Sequence, residues 1–270
     1  MSSSYEIRMG LAMQPLRQPV VRQMARALQL PAGSHGLDAG CGLGQQTLLL
    51  AEETDPAGHV TGLDISAELL DYGQGLVEKA GLAQNISLKQ GDIAAIPYDD
   101  NTFDWAWSCD CVGYAPMNQM PFLKEMKRVV KPGGFIAIAA WSSQIMLPGH
   151  PRLEARLAAT SVGIAPFSYS KDPTDHFLRA LGWFDRLGLP QPGAETFAGG
   201  CHAPLDKEMR TAMEALFEMR WPGAAEELSA ADRAEFTRLC SPQSPDFILN
   251  APDYYMLFTY TLFRAAKSQE

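Results

Sequence analysis

Asp38-Ala39-Gly40-Cys41-Gly42-Leu43-Gly44 is the segment whose residue types point most directly to a ligand. Glycines at alternate positions let the backbone approach a bound group with no side chain between them. The segment stands between a short apolar run, 35–39, and a helical pattern, 45–53. A helix start offers free N–H groups and a positive dipole end, suited to a carboxylate or phosphate. A dinucleotide fingerprint requires G-x-G-x-x-G. Its third glycine falls on Gln45 when counted from Gly40, and on Thr47 when counted from Gly42, so the fingerprint is not met. The loop also lacks the phosphate-binding pattern G-x-x-x-x-G-K-[ST].

Two further groups invite chemistry. Cys109-Asp110-Cys111 offers a thiol pair for a metal. C-x-C is not the usual structural zinc spacing and a second ligand pair is missing. The pair therefore reads as packing near a cleft, and no metal is expected. Among the histidines, His35 and His59 open strands at the end opposite the glycine loop. His150, His176 and His202 lie in the later half and are the candidates for a catalytic base.

The surrounding pattern shows what positions these residues. Val20, Val21, Met24, Ala27 and Leu28 recur as on one face of a helix. Strand signals follow at 35–39, 59–64, 85–90, 103–109 and 135–141. Helical patterns lie between them at 45–53, 66–80 and 117–130, with Ser66 as a cap and Gly81 as a stop. Strands alternating with helices imply a mostly parallel sheet with helices on both faces, an α/β Rossmann-like fold. Beyond Trp141 the pattern loosens. Helices are expected at 174–187, 207–219 and 230–239, a short strand at 194–198, and a final strand at 254–263. The expected organisation is an N-terminal helix (1–32), a core (33–141), a helical lid (142–252), and the last strand and tail (253–270).

Composition limits the classes. The chain has 270 residues, 46% of them hydrophobic and 20% charged, as in an ordinary globular protein. A net charge of -9 disfavours wrapping a phosphate backbone, so no nucleic-acid partner is expected. No apolar stretch approaches the ~20 residues of a spanning helix. Five scattered Cys without a secretory leader imply reduced thiols and a cytoplasmic location.

In order and content these segments resemble the class I S-adenosylmethionine-dependent methyltransferases, most closely the ubiquinone/menaquinone-biosynthesis-like small-molecule type. The matching segments are Asp38 to Gly44, Thr61-Gly-Leu-Asp-Ile-Ser, Gly91-Asp92-Ile93, Phe103-Asp104 and Arg128-Val-Val-Lys-Pro-Gly-Gly-Phe. The resemblance implies S-adenosyl-L-methionine as cofactor. It assigns Asp38, Gly40, Cys41, Gly42 and Gly44 to the cofactor loop, Asp64 to the ribose, Asp92 and Ile93 to the adenine, and Ile65 to the cofactor site. Ser108 and Cys109 are expected to line the cleft. Tyr114, Trp141, Tyr169, Trp183 and Tyr255 are the candidates for the acceptor wall. The implied function is methyl transfer to a small molecule. A nicotinamide-dependent oxidoreductase and a cofactor-binding regulator without transfer chemistry are the alternatives.

Overall fold

The computed structural model describes residues 3–113, 118–164 and 172–269. Two helices open it, α1 (Ser3–Ala12) and α2 (Gln14–Ala27). The alternating region follows: β1 (His35–Ala39), α3 (Gln45–Glu53), β2 (His59–Asp64), α4 (Ala67–Lys79), β3 (Ile86–Gln90), β4 (Phe103–Cys109), α5 (Gln119–Val129) and β5 (Val130–Ile145). The later half contributes α6 (Pro151–Ala158), α7 (Ser161–Ile164), α8 (Ala180–Arg186), β6 (Gly193–His202), α9 (Lys207–Arg220), α10 (Ala230–Cys240) and β7 (Tyr255–Ala266).

Among the described residues the strands form one seven-stranded sheet in the order β3-β2-β1-β4-β5-β7-β6. β1 to β5 pair in parallel, and β7 lies antiparallel between β5 and β6. The α/β expectation therefore holds. The chain order reverses between β1 and β4, the crevice where open α/β sheets take their ligands.

Alternation along β5 builds both layers. Phe135, Ala137, Ala139 and Trp141 join a core shared with α1, α2, α3, α6 and α9. Ile136, Ile138 and Ala140 join one shared with α5 and α8. Caps set the boundaries. Ser66 Oγ accepts from the Leu69 N–H at 3.4 Å, and Gly81 follows α4 with a φ of 73°. Two family-like segments prove to be structural. Asp104 accepts from the His35 N–H at 2.8 Å and from Lys131 Nζ at 2.7 Å, tying β4 to β1 and β5. Arg128 donates to the carbonyls of Tyr98 and Ile96 and pairs with Glu125 and Asp100.

Three elements differ from expectation. The N-terminal helix is two helices, broken at Met13. The 174–187 helix starts only at Ala180, because Asp172 and His176 each cap a one-turn 3-10 helix before it. The stretch 142–252 also supplies ten residues of edge strand, β6, and β5 runs four residues past Trp141.

Candidate active site

The C-terminal ends of β1, β2 and β4 converge on one loop. Gly40, Gly42 and Gly44 all take positive φ, at 79°, 53° and 70°. Such angles favour glycine, and they turn the chain from β1 into α3. A Cβ added at Gly42 would meet nothing within 4 Å, so that face of the loop is open. A Cβ at Gly40 would lie 2.3 Å from Cys111 Sγ, so there the loop meets the chain leaving β4.

Asp64 closes the far side. Its Oδ2 accepts from the Gly42 N–H at 2.8 Å and its Oδ1 from the Ser66 N–H at 2.9 Å. An ionised carboxylate has about four lone-pair sites, so this acid retains capacity for two hydroxyl donors. Ile65, next to it, is 69% exposed, an apolar surface beside a polar anchor. Gln90 Nε2 donates to the Ile65 carbonyl at 3.0 Å and fixes that corner.

Asp38 lies beneath the loop, 1% exposed, with Thr47 Oγ1 donating to its Oδ2 at 2.7 Å. Burial pushes its carboxyl up to about 7; the Thr47 hydroxyl opposes this and the Asp64 charge adds to it. Cys41 is buried and its thiol is raised by burial, while Cys111 is pushed up to about 12 by burial with Asp64 and Asp38 beside it. Both shifts favour the protonated thiol.

The other candidates divide between buried and exposed positions. Ser108 is fully buried, donating to the Ala39 carbonyl at 2.8 Å and accepting from the Val112 N–H, so it braces the cleft instead of lining it. Cys109 packs into the α2 side of the sheet, and Cys111 packs against the α8 side. Residues two apart in a strand share a face, but Asp110 between them has a φ of 55° and turns the chain over. Ile93 is core, and Asp92 is an exposed turn residue accepting from the Ala94 N–H at 2.7 Å. Trp183 is fully buried, donating to the Thr174 carbonyl at 2.7 Å, and belongs to the core.

Trp141 is buried in the larger core. It is stacked on Phe258 at 4.2 Å, and its indole N–H is buried without a partner. Tyr255 is 53% exposed at the start of β7, paired in register with His202. Tyr114 and Tyr169 lie outside the described residues. The three candidate bases are not brought together. His150 Nδ1 is 2.8 Å from Glu235, His176 Nδ1 accepts from the Leu178 N–H, and His202 Nδ1 lies 2.8 Å from the Ala203 carbonyl. His150 borders a cavity of about 590 Å³ between Pro148 and Tyr254.

One cluster went unseen in the sequence. Asp110 Oδ2 accepts from Arg17 and from Tyr260 Oη, the latter at 2.7 Å. Its Oδ1 accepts from the Trp141 N–H at 3.1 Å. Only its place one residue past β4 hinted at a role.

A sequence profile described as "Methyltransferase domain" matches residues 31–176, more than half of the chain. The chain belongs to the methyltransferase domain family. It is 37% identical over 130 residues to a demethylmenaquinone methyltransferase of Staphylococcus carnosus, covering 47% of this chain and 51% of that relative. It is 36% identical over 131 residues to one of Listeria monocytogenes, covering 47% and 53%. The chain thus spans about half the length of the curated relatives it matches. Among solved structures, the YcgJ protein from Bacillus subtilis superposes with a TM-score of 0.58 at 16% identity, over 94% of this chain and all of that one. A SAM-dependent methyltransferase from Aquifex aeolicus gives 0.53 at 21%, over 72% and 90%. Both likenesses concern the fold.

The residues present fit S-adenosylmethionine. The open face at Gly42 is a cradle that a Cβ would fill, Asp64 keeps acceptor capacity for a ribose diol, and Ile65 offers an apolar face.

Proposed function

We propose that this methyltransferase family member transfers a methyl group from S-adenosylmethionine to a small-molecule acceptor. The observation that carries the reading is the open glycine cradle at Gly42 hydrogen-bonded to Asp64, at the sheet's switch point. When bound, S-adenosylmethionine supplies an electrophilic methyl group on a sulfonium sulfur. Asp64 would anchor the ribose, and Gly40 to Gly44 would admit the rest of the cofactor to the backbone. Ile65 would shield the base from water. The chain's remaining task is to hold the acceptor in line with the methyl carbon, where proximity alone supplies several kcal/mol. No histidine is needed for an amine or carbanion acceptor.

The segment 142–252 reads as the part that covers and selects the acceptor, since specificity commonly resides in connections on a rigid scaffold. The net charge of -9 supports a small acceptor over nucleic acid. No helix among the described residues is long and apolar enough to cross a membrane. The five free thiols accord with a cytoplasmic location.

The test is calorimetry with S-adenosylhomocysteine. Asp64→Ala loses two charge-assisted hydrogen bonds, so binding should weaken by at least about tenfold in a folded protein. Transfer is then followed with methyl-labelled S-adenosylmethionine, first on demethylmenaquinol, because of the relatives' name, and then on a metabolite extract. Unchanged affinity in folded Asp64→Ala would remove this acid from the site. Absence of binding by the wild-type chain would end the reading.

A further inference from the structure

Three elements distant in sequence meet at one carboxylate just outside the glycine loop. Asp110 follows β4 directly, with a φ of 55°. Asp tolerates this left-handed conformation better than most residues, yet it needs support to persist. The support is extensive. The Asp110 N–H donates to the Ala139 carbonyl at 2.9 Å, and the Trp141 N–H donates to Oδ1. Arg17 from α2 and Tyr260 from β7 both donate to Oδ2. Arg17 Nε also donates to Tyr260 Oη at 2.9 Å, which closes a triangle of three side chains. Arg17 and Asp110 keep 24% and 19% of their side-chain exposure, so the cluster lies at the edge of the packed region.

The turn has a consequence for the loop. By flipping the chain, it places Cys111 Sγ where a Gly40 Cβ would stand. Gly113, two residues on, has a φ of 93° and packs against Phe177 and Trp183. The segment from 110 to 113 is thus wedged between the glycine loop and the α8 layer, and among the described residues its charged support is Arg17 of α2.

We propose that Asp110 is a positioning residue: clamped by Arg17 and Tyr260, it fixes the left-handed turn that lays Cys111 on Gly40, so that docking of α2 sets the geometry of the cofactor loop. The idea rests on the methyl-transfer reading for its purpose, but its mechanical content does not depend on any cofactor.

N-ethylmaleimide labelling of Cys111, located by peptide mass spectrometry, reads the turn directly. Cys240, at the end of α10, is the internal reference. In Arg17→Met and Asp110→Ala, Cys111 should label at least about tenfold faster than in wild type, with Cys240 unchanged, because a charge-assisted contact has been lost. Asp110→Asn accepts the same backbone angle and keeps one acceptor for the Trp141 N–H, but it loses the carboxylate that Arg17 and Tyr260 share, so it should also label faster than wild type, by less than Asp110→Ala. S-adenosylhomocysteine affinity should fall in the same order as labelling rises. Should Asp110→Ala not fold, Tyr260→Phe removes a single hydroxyl and should speed Cys111 labelling by about threefold. Folded Arg17→Met with unchanged Cys111 labelling would overturn the proposal. So would equal acceleration at Cys111 and Cys240, which signals general loosening. A wild-type chain that does not bind S-adenosylhomocysteine would defeat the functional reading while leaving the labelling arms to decide this one.

Discussion

A carboxylic acid shut away from water resists ionisation, and Asp38 is in that position. Its ordinary value is 3.8, and burial lifts it to about 7 in the folded chain. A raised folded value means the unfolded chain releases this proton at lower pH. The stability that Asp38 contributes is therefore fully present below 3.8 and is lost as pH rises through about 7. At about 1.4 kcal/mol per tenfold, that span sets a ceiling of about 4 kcal/mol. Asp104 and Glu125 are shifted downward by their cationic partners and slope the opposite way, so the comparison must be with a mutant. Asp38→Asn keeps an acceptor for Thr47 and cannot ionise. Urea denaturation from pH 4 to 8 should show the mutant gaining on wild type as pH rises. A constant difference across that range would mean Asp38 titrates normally.

Elements follow the sequence where periodicity and caps agree, and depart from it where tertiary contacts decide. β1 and β4 match their sequence-derived bounds, and β2 does also, because each is a short apolar run closed by a turn. The full length of β6 is hidden because it is an edge strand, exposed along most of its length and broken by Gly199 and Gly200. Its hydrogen-bond partner, β7, lies more than fifty residues away, and nothing local announces the pairing. The glycine loop and Asp64 were legible because their chemistry is local. The Arg17, Asp110 and Tyr260 cluster was not, since it joins an N-terminal helix to the last strand. Gly199 shows the tertiary constraint at work. A Cβ there would lie 2.4 Å from Val20 Cγ2 and 2.5 Å from Phe258 Cζ, both buried. Gly199→Ala should lose about 1–3 kcal/mol by overpacking α2 against the sheet. Gly75 sits inside α4 with nothing within 4 Å, so Gly75→Ala should gain about 0.5–1 kcal/mol from helix propensity. Denaturation midpoints check both, and matching signs would refute the packing argument.

At the scale of the molecule, three strands outrun the rest of the sheet. β4 ends its pairing at Cys109 opposite Ala139, but β5 continues to Ile145 opposite Leu257, and β6 reaches His202 opposite Tyr255. The extension stands beyond the ends of the strands that hold the glycine loop and Asp64. One face is filled, with Met256, Phe258 and Tyr260 packed beside Trp141 in the larger core. The other carries a ladder of hydroxyls, with Ser142 bonded to Thr259 and Thr261 at 2.9 Å and Thr196 to Thr261 at 3.2 Å. Exposed Ile145 and Tyr255 lie further out. A wall with a polar base and an apolar tip suits an acceptor better than it suits the cofactor, whose proposed anchors are the loop after β1 and Asp64 at the end of β2. Loss of an apolar contact to substrate costs ~1–3 kcal/mol in discrimination. Once an acceptor is identified, Tyr255→Ala and Ile145→Ala should each lower its kcat/KM by about tenfold. Both should bind S-adenosylhomocysteine within about threefold of wild type, since neither touches the loop. Trp183→Ala should instead cost about 3–5 kcal/mol of stability, as a buried aromatic removed from the core. If Tyr255→Ala and Ile145→Ala leave acceptor kinetics alone, the acceptor enters from another side and the strand extension is scaffold.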